Sequence, residues 1–377
     1  MRDYVEIGIG REARRTYDLV DISVVPNRRT RSSKDVSTEW NIDAYTFDIP
    51  MASHPTDALA TPEFVIEMGK QGGLGVINAE GLWGRHEDLE GAIAEVIDSE
   101  LQVETLQRLH AAELNPELLT QRIAQVRESG VVVGVRVSPQ RARELAPLVV
   151  DAGADILFIQ GTLISAEHVA PGGEPLNLKE FIGSLEIPVI AGGVADYTTA
   201  LHLMRSGAAG IIVGGGINTN RETVAIDVPM ATAIADAAAA RRDYLDETGG
   251  RYVHVLADAD FYSSADITKV IACGADAVVL GPLLAQAKEA AGKGHFWPAV
   301  AGHPRFPRGV VEFRGAMDFN FEEGEASNAP TLETVLHGPS NQPFGQLNLV
   351  GGLRRAMAKC GYTDLKAFQK VGLAVRG

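Results

Sequence analysis

Four side chains in this 377-residue chain are well placed to do chemistry: His54 ahead of a proline, Glu222 behind a glycine run, and the closely spaced Asp258 and Asp260. Gathered at one face, they would serve as an acid/base or metal-binding cluster, because carboxylates and imidazole exchange protons and carboxylates ligate hard cations. Singly, each has a plainer reading. A lone histidine before proline is usually a hydrogen-bonded loop residue, and exposed acids are usually solvated. The two cysteines, Cys273 and Cys360, show neither zinc-site nor disulfide spacing. They point to no metal site and to a reducing, cytoplasmic setting.

Such groups need a scaffold, and the sequence predicts one. Eight short apolar runs begin at Ile49, Leu74, Val131, Asp155, Ile187, Gly210, Tyr252 and Asp276. They read as continuous apolar stretches, as parallel strands buried on both faces do. Helical stretches alternate with them, several with clear ends. Thr61-Pro62 and Asn115-Pro116 place an N-cap before a first-turn proline, and Gly72 and Gly130 supply stops. The run LLAQAKEAAG after the eighth strand is also expected to be helical. The pattern predicts a single-domain α/β chain folded as a (β/α)8 TIM barrel over residues 1–377, with functional groups on the loops at the C-terminal strand ends. Residues 80–114 form a short polar, weakly periodic segment, and residues 318–345 a flap-like loop rich in Gly, Pro, Asn and Glu.

Charge narrows the function. With 34 basic against 49 acidic side chains the net charge is −15. A surface of that sign repels nucleic-acid phosphates and anionic lipids, so neither nucleic acid nor membrane is an expected partner. No apolar run approaches membrane-spanning length, and the first fifteen residues carry no signal-type apolar core.

Several segments carry a family likeness: YDLVDISVVPNRRTRSSKDVST from Tyr17, IPMASHPTDALATPEFVIEMGKQGGLGVI, IPVIAGGVADYTTALHLMRSGAAGIIVGGG, VLADADFYSSADITKVIACGADAVVLGPLLA and LNLVGGLRRAMAKCGYTDLKAFQK. Collinear from about Tyr17 to the end, they resemble the IMP dehydrogenase/GMP reductase family. The likeness is greatest to the IMP-dehydrogenase-related branch, which lacks the CBS pair; here only residues 80–114 occupy that insertion point. The resemblance implies purine-nucleotide (IMP or GMP) oxidoreduction with NAD(P) as cofactor, and a homotetramer packed through barrel surfaces.

The family's chemistry needs a cysteine thiolate after the sixth strand to attack the purine. Here that loop reads Gly214, Gly215, Gly216, Ile217, Asn218, Thr219, Asn220. It has no cysteine; Thr219 lies near the missing position, and no neighbour offers a clear activating base. Of the nucleotide-site equivalents, Ser53, Asp57 and Asp258 match, as do Arg308 and Gly309 of a later phosphate-side turn. The phosphate turns instead read Asp258, Ala259, Asp260 and Gly281, Pro282. An acid thus stands for a glycine beside a dianion, and a proline removes an N–H donor. On the cofactor side Gln160, followed by Gly161 and Thr162, stands where the family has aspartate, and Gly192, Gly193 where it has Gly-Asn. No arginine or tyrosine follows between Gly315 and Leu353 to form a water-activating flap pair.

Three readings follow. The departures together favour a non-catalytic paralogue binding some other small, anion-poor ligand, or a protein partner such as a true IMP dehydrogenase, with no cofactor required. The others are an active oxidoreductase of non-standard mechanism on a purine nucleotide, and a different reaction run by the Asp258, Asp260, His54 and Glu222 group.

Overall fold

The apolar runs pair side by side. The computed structural model describes residues 4–162, 164, 177–315 and 329–376. Its main sheet has eight parallel strands: β1 (Met51–Ser53), β2 (Val76–Asn78), β3 (Gly134–Val137), β4 (Ile156–Gln160), β5 (Val189–Val194), β6 (Gly210–Gly216), β7 (His254–Ala259) and β8 (Ala277–Leu280). Neighbours in sequence are neighbours in the sheet, and β8 returns to β1 through Val278–Met51, Val279–Ala52 and Leu280–Ser53. A parallel bridge from Ala52 to Leu74, just ahead of β2, completes the circuit, with Leu74 N–H donating to Met51 O and Ser53 N–H to Leu74 O. The chain is a (β/α)8 barrel.

Local chemistry sets the helix ends. In α1 (Pro62–Lys70) the Thr61 side chain accepts from the Phe64 N–H, and α2 (Leu89–Asp98) and α3 (Gln102–His110) follow β2. Helix α4 (Pro116–Glu128) is capped by Asn115, and α5 (Ala142–Asp151), α6 (Leu178–Gly183) and α7 (Tyr197–Arg205) continue the outer ring. The short α8 (Thr219–Val224) precedes the long α9 (Met230–Thr248), which ends on Gly249 in the left-handed region. Helix α10 (Ser264–Cys273) ends on Gly274 at φ +119°, which a side chain would strain. Among the described residues no helix is long and apolar enough to cross a membrane.

Two expectations are corrected. LLAQAKEAAG is not an α-helix: a 3-10 turn at Pro282–Leu284 leads into further turns. Leu283, Leu284, Ala285, Gln286, Ala287 and Ala290 are all buried, so the segment lacks the exposed face of an outer helix. Gln286 spends its amide on the carbonyls of Leu283 and Gln346. Helix α12 (Leu349–Lys359), packed on α10, fills the eighth outer position instead. Of the flap-like stretch 318–345 only the later part is described. Residues 318–328 lie outside the described residues, but α11 (Leu332–His337) forms within the remainder. The third strand starts at Gly134 rather than Val131.

Candidate functional site

At the C-terminal strand ends, His54 after β1, Gln160 at the end of β4 and Asp258 on β7 converge. Asp258 is 1% exposed. Its Oδ2 accepts from Gln160 Nε2 at 2.6 Å and lies 3.4 Å from His54 Nε2. Burial pushes the Asp258 carboxyl well above the usual carboxylate range, against the pull of hydrogen bonds from the Gln160 side chain and the Gly216 backbone. Burial, aided by Arg136, pushes His54 down to about 4, so its imidazole is neutral near pH 7. Among the described residues, His54 Nδ1, Gln160 Oε1 and Asp258 Oδ1 have no hydrogen-bond partner. Beneath them Arg136 of β3 donates to Gln160 O (2.6 and 3.1 Å), Asn78 Oδ1 (3.2 Å) and Glu80 Oε2 (3.1 Å), fixing the ends of three strands. Ser53 is equally internal, its hydroxyl accepting from Val76 N–H. Asp57 takes the Leu82 N–H and sits 3.0 Å from His110 Nε2, binding the 80–114 segment to the first loop.

Asp260, two residues on from Asp258, has separate partners. Its Oδ2 accepts from Tyr262 OH at 2.7 Å and lies 3.3 Å from Arg314, which also pairs with Glu312. Burial raises this carboxyl too, opposed by Tyr262 and Arg314. Glu222 extends away, its side chain 81% exposed and 3.8 Å from Arg221. The His54, Asp258, Asp260 and Glu222 group therefore divides into three, and among the described residues no set of three His, Cys, Asp or Glu side chains is arranged to hold a metal. Asp258, Ala259, Asp260 and Glu222 do line a common cavity of about 640 Å³ with the glycine loop, Thr162 and Arg314.

The glycine loop is packed inward. A Cβ at Gly193 would stand 1.7 Å from the Gly214 carbonyl oxygen, and one at Gly215 3.0 Å from Thr162 O. Just past β4, Gly161 N–H donates to Gly192 O and accepts from Gly193 N–H, tying it to β5. A Cβ at Gly216, whose φ is +81°, would stand 3.0 Å from His54 Nε2. The loop runs directly into α8, which Asn218 caps by accepting from Arg221 N–H. Thr219 Oγ1 is buried and, among the described residues, without a hydrogen-bond partner, so no base activates it. Arg308 latches the region, donating to Asn220 Oδ1 at 2.6 Å and Thr162 Oγ1 at 3.2 Å, while Gly309 packs on Pro298 and Thr219. At the other phosphate turn the Phe296 ring lies where a Cβ on Gly281 would be 2.8 Å from it, and Pro282 opens the 3-10 turn. Both thiols are remote from this face: Cys273 closes α10 and Cys360 caps α12, each buried. Burial pushes Cys273 up to about 12.

The IMP dehydrogenase/GMP reductase domain model matches residues 15–376. The chain belongs to the IMP dehydrogenase/GMP reductase family. Within that family it is 62% identical over 382 residues to an uncharacterized oxidoreductase of Mycolicibacterium smegmatis, covering 98% of this chain and 99% of the relative. It is 61% identical over 384 residues to one of Mycobacterium tuberculosis, covering 99% of this chain and all of the relative. The crystal structure of an IMP dehydrogenase/GMP reductase-like protein from Corynebacterium glutamicum superposes with a TM-score of 0.93 at 68% identity, over 99% of this chain and 98% of that one.

Sequence reasoning grouped His54 with Asp258 and placed Gln160 on the cofactor side; the fold brings the three together, Gln160 hydrogen-bonded to Asp258 and His54 3.4 Å from it. It missed Arg136, Arg314 and Phe296. Arg136 had a signal, since a lone arginine inside an apolar strand needs buried partners. Arg314 and Phe296 come from a small hairpin, His295–Phe296 with Glu312–Phe313, for which the sequence carries no comparable cue.

Proposed function

We propose that this family member has given up nicotinamide-dependent purine chemistry and uses the loop-face cavity to bind a small, anion-poor ligand. The observation that carries the reading is the contact of Gly193 with Gly214. The β5 residue that in the family bears an asparagine has no room for any side chain, because a backbone carbonyl stands 1.7 Å from its Cβ position. Backbone cannot swing aside as a side-chain tip can. The chain therefore cannot supply that side chain to a nicotinamide. Gln160, at the family's cofactor aspartate, is turned onto Asp258 instead.

The other departures agree. No thiol faces the cavity, and Thr219 has no base. Phe296 covers Gly281, and Asp260 would set a carboxylate beside any phosphate. A cytoplasmic homotetramer that associates with a true IMP dehydrogenase belongs to the same proposal, resting on the family likeness.

Melting temperature in saturating IMP, GMP and XMP, each with and without NAD⁺ or NADPH, tests the reading. A ligand held at 100 times its dissociation constant stabilises by about 2.7 kcal/mol, which is readily seen. No shift and no absorbance change at the nicotinamide wavelength are expected. Stabilisation by IMP or GMP together with turnover would restore the oxidoreductase reading.

A further inference from the structure

In a chain of net charge −15, residues 27–34 (NRRTRSSK) carry four cations and no acid; Asp35 comes directly after. The segment lies on the floor side of the barrel. Its Arg31 N–H donates to Ala358 O at 2.9 Å, and the Arg29 carbonyl packs where a Cβ on Gly361 would stand. Those contacts set it beside the last turns of α12, which present Arg355 and Lys359. Arg28, Arg29, Arg31, Lys34, Arg355 and Lys359 are all exposed, and none has an ion pair among the described residues. Without these six the remainder of the chain carries −21, so the patch stands against the charge of the whole molecule.

Solvated cations would signify little by themselves; what this loop adds is hydroxyls. Thr30, Ser32 and Ser33 are interleaved with the arginines, every residue from 25 to 35 is exposed, and residues 25–32 belong to neither helix nor strand. Ser32 Oγ accepts from the Lys34 N–H at 3.3 Å and donates to no group among the described residues, so its proton is open to an incoming base. Arg29 stands three residues before it and Arg28 four. Arginine at that distance is what a protein kinase with a carboxylate-lined substrate groove selects, since kinases choose substrates by charge pattern.

We propose that Ser32 is a phosphorylation site for an arginine-directed protein kinase, and that the phosphate it receives is held by the cations already gathered there, Lys359 of α12 included. In the transfer Ser32 Oγ attacks the γ-phosphorus of a magnesium-bound nucleoside triphosphate. The bond to the bridging oxygen breaks, the nucleoside diphosphate leaves with that oxygen, and the serine proton passes to the kinase's aspartate base. The product places a dianion with three strong acceptors beside guanidiniums suited to bind them in pairs, which fastens the loop to α12. The site is separate from the loop-face cavity and holds whatever binds there.

The full folded chain, incubated with magnesium ATP and the catalytic subunit of cyclic-AMP-dependent protein kinase as probe, tests it by intact mass and peptide mapping. One phosphoryl group per chain, on Ser32, is expected. Arg29→Ala, whose side chain has no ion pair to lose, should keep Tm and slow incorporation about tenfold or more. Ser33→Ala should leave the rate unchanged. Phosphorus NMR then reads the cradle: the phosphoserine should lose its second proton below the ordinary value of about 6, and Lys359→Gln should bring it back towards that value. No incorporation, incorporation at another residue, or an Arg29→Ala rate equal to that of the unaltered chain would overturn the site. A second ionisation at the ordinary value, unmoved by Lys359→Gln, would overturn the cradle.

Discussion

Replacing Gly193 by alanine adds one methyl group at the point on which the functional reading depends. That carbon would be placed 1.7 Å from the Gly214 carbonyl oxygen and 3.1 Å from Thr162 O. Both neighbours are backbone, so relief requires the glycine loop to shift by about 1.5 Å, since carbon and oxygen in contact stay roughly 3.2 Å apart. Overpacking of a tight interior costs about 1–3 kcal/mol, and a clash against fixed backbone belongs at the upper end. Unfolding entropies near 2.1 cal/mol/K per residue give ~0.8 kcal/mol/K for a chain of this length, so ~3 kcal/mol lowers Tm by about 4 °C. Scanning calorimetry reads this directly. Gly183→Ala is the control: it ends helix α6, no atom lies within 4 Å of its Cβ position, and it should be neutral or stabilising by up to about 1 kcal/mol. Equal Tm for both variants would mean that the loop yields freely. The argument that Gly193 has no room for a side chain would then fail.

Two further outcomes follow from buried groups away from the cavity. Asp276 is buried among Arg241 (2.7 Å), Lys366 (2.6 Å), Tyr252 (2.8 Å) and Gln369 (2.9 Å). Asp276→Asn should cost about 3–5 kcal/mol by stranding the buried Arg241, read as a lower urea midpoint; an unchanged midpoint would show that the network is not a stabilising one. Although burial opposes it, Arg241 and Lys366 hold this carboxyl down to about 2. Its contribution is therefore complete above the unfolded value near ~4 and lost as pH falls through 2, a loss on the order of 2 kcal/mol that the asparagine variant should lack. Both thiols are buried, so a thiol-directed reagent should leave the native protein unlabelled and modify both cysteines after unfolding. Rapid native labelling would return a candidate nucleophile to the surface.

Much of the barrel was legible because parallel strands covered on both faces must be apolar throughout, and Thr61, Asn115 and Gly274 mark helix ends with residues whose conformations are restrictive. The segment after β8 was misread for a related reason. Leu283 to Ala291 has helical composition, but composition does not report that Leu283 to Ala287 are buried in succession; only the surrounding chain, such as Gln346 and Pro330 that bond to it, decides that. The site was half legible. Motif positions located Gln160, Asp258 and the glycine loop, whereas the Arg136 network, the Arg314 clamp and the Phe296 cover join elements far apart in the chain, and local pattern carries no record of such contacts.

The barrel's floor also imposes an order on biosynthesis. The strand Leu373–Val375 pairs antiparallel with Ile22–Val24, and Val25 N–H donates to Gly372 O. At roughly 5–20 residues per second, some 17–70 s separate the emergence of Val24 from that of Leu373. Throughout that interval the early edge waits on the ribosome without its partner, and towards its end the Asp276 carboxylate, once made, waits for Lys366 and Gln369. A nascent chain of this protein therefore exposes an open strand edge until Leu373–Val375 has emerged, well after the eighth strand is complete, and only that pairing closes the edge against aggregation.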